Sequence, residues 1–172
     1  AAYKAELTVE NIDDLVNASI MAVLLGDDNT TDEKALELIK KYDSEVKNIV
    51  VSEQNFNALS DDKQKWVTEN LLTRNDIFAD AADVLTEVRT SMLISKLNDT
   101  PYTALEKLIL DNEDLFGEEN VKALKDEKKQ GVKDKAMQEL VKAATKNEFT
   151  TVDGILATLD EAIEKAQSSG GS

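Results

Sequence analysis

Apolar residues in this chain recur mostly at intervals of three and four, the spacing that places them on one side of a helix. In residues 9–25 the apolar set Ile12, Leu15, Val16, Val23 and Leu24 forms one such stripe, ending at Gly26, a natural residue just past a helix. The same pattern returns twice. A shift of about 69 sets Leu15 and Val16 against Val84 and Leu85, and Val23 and Leu24 against Met92 and Leu93. A further shift of about 71 sets Phe78 against Phe149, Val84 and Leu85 against Ile155 and Leu156, and Val88 against Leu159. The chain is therefore read as a tandem repeat built on one long helix.

Start signals fill in the rest of the unit. Thr30 with Glu33 makes a capping box, and Thr31 serves nearly as well; from there Ala35, Leu36, Ile39 and Tyr42 face inward. The counterpart starts at Thr100-Pro101, with Thr100 as cap and Pro101 in the first helical position, where a missing N–H costs nothing. Residues 46–51 are apolar and β-branched enough to suggest a strand. Their counterpart 111–117 is shorter and acidic, so a helix end followed by a packed loop is expected. Ser60 followed by Asp61 and Asp62 is a strong helix start, opening a helix to about Thr73 that buries Val67 and Leu71. Met137, Leu140, Val141 and Ala144 play that part in the second copy, which carries an extra loop at residues 129–131.

The expected fold is all-α: two tandem three-helix repeats of about 70 residues preceded by one extra helix, packed as a helical bundle or short solenoid. Residues 1–28 are a lead-in, in which Tyr3 and Leu7 can pack, plus a helix equivalent to the last helix of a preceding repeat. Residues 29–97 and 98–167 are the two repeats, and 168–172 a flexible tail or linker. The start at Ala1 without Met reads as a piece of something longer.

Composition agrees with helices and narrows the chemistry. One Pro and six Gly in 172 residues leave helix interiors almost free of breakers. A net charge of −15 repels phosphate backbones and anionic lipid, which argues against nucleic-acid binding and membrane attachment. No stretch has the roughly 20 apolar residues of a membrane span, so no membrane insertion is expected. Without Cys or His the chain lacks thiolate chemistry, disulfides and the commonest general base and metal ligand.

The order Asn-x-Thr, Ala-Leu-Glu, an acidic variable stretch, Asn55-Phe56-Asn57-Ala58-Leu59-Ser60-Asp61-Asp62-Lys63, a helix with Leu71-Leu72, then Phe78-Ala79-Asp80-Ala81-Ala82-Asp83-Val84 resembles a helical repeat of multidomain surface proteins of Gram-positive bacteria, which carry S-layer-homology modules. The second copy departs from it at Val121, Lys125 and Gly154. The resemblance covers most of residues 9–166. It implies an extracellular, cell-surface location and a spacing, scaffolding or adhesive role, and it transfers no catalytic residue.

Site candidates are few. Residues 26–37 gather Asp27, Asp28, Asn29, Asp32 and Glu33, but an EF-hand begun at Asp27 has Asp32 and Leu38 where Gly and Glu are required. Solvated helix caps explain these acids better than a calcium site. Carboxylate pairs for glycosidase chemistry need a cleft that singles them out, and no pair stands apart. Asn17-Ala18-Ser19 matches a glycosylation signal but lies in a helix. Trp66, whose counterpart is Ala136, is read first as packing and second as a platform for sugar or peptide. Phe78 and Phe149 staple the start of the long helix. The expectation is a non-enzymatic module without catalytic, metal or cofactor residues, working through a protein partner or self-assembly. The alternatives are a module binding cell-wall carbohydrate or peptide, with Trp66 as its contact, and a virion or tail structural protein.

Overall fold

A computed structural model describes residues 9–46, 49–73, 78 and 80–169, the side chains of residues 9–12 excepted. The lead-in with Tyr3 and Leu7, the side chain of Ile12 and the tail at 170–172 therefore lie outside the described residues. The fold is all-α, with one two-residue strand pair among the described residues. The chain divides into two compact units, Ala1–Arg89 and Thr90–Ser172.

In the first unit, helix α1 (Val9–Leu25) packs on α2 (Asp32–Val46), and α2 packs on α3 (Asp61–Leu72). Met21, Leu25, Ala35, Ile39, Tyr42, Phe56, Val67 and Leu71 are buried. Thr31 is the N-cap of α2, its Oγ1 accepting from Lys34 N at 3.3 Å. The Thr30 hydroxyl instead donates to the Leu24 carbonyl at the end of α1. Ser60 caps α3 as its sequence demands, with Oγ accepting from Lys63 N at 3.4 Å and Asp61 and Asp62 in the first turn.

The loop expected after α2 is where the sequence reading needs correction. Val50–Val51 (β1) pairs antiparallel with Gln54–Asn55 (β2), closed by Ser52 and Glu53. Both turn residues have positive φ, 48° and 67°, the left-handed pair that lets a two-residue hairpin follow strand twist. The β-branched valines thus do form a strand, and the comparison with the acidic counterpart obscured it. A 3-10 turn, Phe56–Ala58, follows and packs on α2.

Helix α4 (Ala81–Asp99) contains the boundary between the units. Its residues Thr90 through Ser95 are buried without a break. In the second unit α5 (Tyr102–Asp111) packs on α8 (Gln130–Lys146), and α8 runs along α9 (Val152–Ser168). Between α5 and α8 lie the short α6 (Glu113–Phe116), a 3-10 turn and α7 (Lys122–Asp126), which touches α9. Gly117 takes φ 89° after α6, and a Cβ there would sit 2.8 Å from Asn120 Nδ2, so glycine is required.

Three boundaries move relative to the sequence reading. Pro101, not Thr100, occupies the N-cap position of α5, because the Thr100 hydroxyl turns back to the Lys96 carbonyl at 2.6 Å and finishes α4. Gly131 lies inside the first turn of α8 rather than in a loop. Ser168 is the last residue of α9 and Ser169 its cap, so the tail begins later than residue 168.

Candidate interaction surface

Polar side chains around the 3-10 turn are committed to the fold of their own unit. Asp43 is buried on α2, where its Oδ2 accepts from Asn57 N at 2.9 Å and its Oδ1 from Asn55 Nδ2 at 3.2 Å. Asn57 Nδ2 donates to the Lys40 carbonyl at 2.9 Å and to Ser44 Oγ at 2.8 Å. Gln64, also buried, donates to the Phe56 carbonyl at 3.2 Å. These bonds hold the 3-10 turn against α2 and satisfy groups that would otherwise be buried unpaired. In the second unit the Asn98 side chain grips both backbone groups of one residue: Nδ2 donates to the Phe149 carbonyl and Oδ1 accepts from Phe149 N, each at 3.0 Å. Phe149 is buried and Phe78 half-buried, in line with packing roles at the start of the long helix.

The charged clusters are small and partly solvated. Glu106 accepts from Lys133 Nζ at 2.9 Å and from Gln130 Nε2 at 3.1 Å. Burial by itself would raise the Glu106 pKa, but the hydrogen bonds from Gln130 and Lys133, together with the Lys133 charge, hold it below the usual carboxylate value. Glu139 is held low by hydrogen bonding from Lys142 and by Lys165, beside a shallow groove of α8 and α9 floored by Ala143 and Ala162. Asp27 folds onto its own loop, Oδ1 accepting from Asn29 N at 2.9 Å. Among the described residues, no three acidic side chains converge as a cation site. Trp66 is half-buried on α3; Tyr42 and Phe56 in the same unit are buried. Asn17 donates to Glu45 Oε2 at 3.1 Å from within α1, and Ala18 beside it is buried.

The feature without an internal explanation is α1. The sequence stripe of Leu15, Val16 and Val23 was expected to face the core, yet these residues are 39%, 49% and 71% exposed, and Ile20 is 45% exposed. The side of α1 that packs carries Ala18, Met21 and Leu25 instead. At 3.6 residues per turn Val16, Ile20 and Val23 lie on the side opposite the packed set, and Leu15 borders it. A helix apolar on both sides is the pattern of one covered on both sides, and α2 covers only one. The bare side runs toward the α2 junction, where Leu24 and Leu38 form an open trough flanked by Lys34, Glu37 and Lys41. The signal was in the sequence: Met21 and Leu25 extend the apolar set beyond one stripe's width.

The chain matches no protein-family model, no curated protein and no solved structure. No described helix is long and apolar enough to cross a membrane.

Proposed function

We propose that this chain is a non-enzymatic scaffolding or adhesive module of a secreted or cell-surface bacterial protein, acting through protein–protein contacts. The observation that carries this reading is the second apolar side of α1. Contiguous exposed apolar surface on a folded domain marks a place where another surface sits. The spending of Asp43, Asn57 and Ser60 on bonds to backbone groups supports the same reading, because these polar side chains of the first unit serve the fold. The resemblance to helical repeats of Gram-positive surface proteins supplies the location.

Antibodies raised against the chain and applied to intact cells of the source organism test it. Labelling of unbroken cells is the expected result, and labelling that requires lysis overturns the surface placement. Trp66, the single tryptophan, gives an internal check on the carbohydrate alternative. The scaffold reading expects its fluorescence to stay constant as purified cell-wall polysaccharide is added; a saturable change would replace that reading with ligand binding.

A further inference from the structure

Helix α9 shows what covers the long helix of this repeat, and α4 shares its buried positions. Aligned on their shared pattern, their buried positions coincide: Val84 with Ile155, Val88 with Leu159, Ser91 with Ala162, Met92 with Ile163 and Ser95 with Ala166 are buried in both. Leu85 and Leu156 are both half-buried. In the second unit the helices against α9 are α7 and α8, the two that precede it in the chain. The corresponding positions of α1 are Leu15, Ser19, Ala22, Val23 and Gly26. Four of these five are exposed and Ala22 is half-buried. The contrast is large at matched positions: Leu15 is 39% exposed where Ile155 is 0%, and Val23 is 71% exposed where Ile163 is 4%.

We infer that the bare side of α1 is the seat of a further helical unit of the same kind, joined ahead of α1 in one polypeptide and covering it with a helix of the α8 type. This rests on the scaffold reading and names the partner within it. A second copy of the chain fits less well, because its two helices of this type are already engaged through Val67 and Leu71 on α3 and through Val132, Ala136, Met137 and Leu140 on α8. The covering helix would carry small and apolar residues every three or four positions, as α8 does with Ala136, Met137, Leu140 and Ala144.

The absence of cysteine permits a direct test. Val23→Cys is made in the full chain and in a fusion that places a copy of residues 98–146 ahead of Ala1, and thiol alkylation rates are compared. Asp62→Cys, on the exposed start of α3, is the control. The expected result is a Val23→Cys rate at least about tenfold slower in the fusion, as burial of a side chain in a stable interface requires, with Asp62→Cys unchanged. The shielding is expected to disappear when Met137 and Leu140 of the fused copy are both changed to Asp. An unshielded Val23→Cys overturns the proposal whether the fused unit folds or not, because α1 should template its folding. A cysteine already protected in the unfused chain and released on dilution assigns the seat to a second copy. Failure of the fusion with intact cells still labelled removes this inference and leaves the scaffold reading standing.

Discussion

Single asparagines do much of the positioning in this protein, and Asn98 is the clearest case. It joins the C-terminal turn of α4 to the peptide just ahead of α9, 51 residues on, with one donor and one acceptor. Removing it leaves both the N–H and the carbonyl of Phe149 without that partner beside a buried ring, and a buried polar group left unsatisfied costs about 1–3 kcal/mol. Asn98→Ala is therefore expected to lower the unfolding free energy by about 2 kcal/mol in a denaturant titration. Asn98→Asp should not rescue it, because a second acceptor then faces the Phe149 carbonyl. An unchanged midpoint for Asn98→Ala would mean water replaces both bonds without cost.

At the level of elements, the long helices were legible because their apolar spacing and their caps agree. Ser60 with Asp61 and Asp62 announces α3 unaided, and the Val84 and Ile155 stripes announce α4 and α9. Periodicity could not say which side of α1 is covered, since an apolar stripe reports a contact and not whether the contact is present in the chain. The candidate surface was therefore only half visible: its residues were named, but their direction was reversed. The hairpin was hidden for a different reason. The β-branched valines suggested a strand, but the turn is Ser52-Glu53 rather than the Asn-Gly or Asp-Gly that favours two positive φ angles, so no turn signal backed them against the acidic counterpart. That choice has a measurable cost, because a left-handed conformation disfavours an L-residue by roughly 1–2 kcal/mol. Part of the gain from glycine is lost to the greater freedom of the unfolded chain. Glu53→Gly is expected to stabilise by about 0.5 kcal/mol and Glu53→Val to destabilise by more than that, read from chemical denaturation. Equal stabilities for the two variants would show that the turn relaxes away from this geometry.

Across the whole molecule the governing quantity is the charge of −15 from 35 acidic and 20 basic residues. Two opposing terms respond to salt. Exposed pairs such as Lys41–Glu45 at 4.0 Å and Lys65–Glu69 at 3.9 Å weaken, but each contributes only about 0–1 kcal/mol. Repulsion among the surplus acids is screened as well, since the Debye length shrinks from about 30 Å at 0.01 M to about 10 Å at 0.1 M. The surplus outweighs the pairs, so at pH 7 the melting temperature is expected to rise by about 2–4 °C over that salt range. Acid acts first in the same direction, because protonation brings the chain toward its pI of about 4.4. Below that the sign reverses. Glu106, Glu127 and Glu139 have folded pKa values below their ordinary ones. The stability they supply is complete above the unfolded value near 4.5 and is lost as pH falls through the lowered folded values. Melting curves at low salt should therefore climb from pH 7 toward about 5 and fall below about 4. Glu106→Gln should blunt the acid limb, because its partner Lys133 is the least exposed cation of the ion pairs described. A melting temperature at pH 7 that is indifferent to salt would mean that the acids are spaced too widely to repel, and the rise toward pH 5 should then vanish with it.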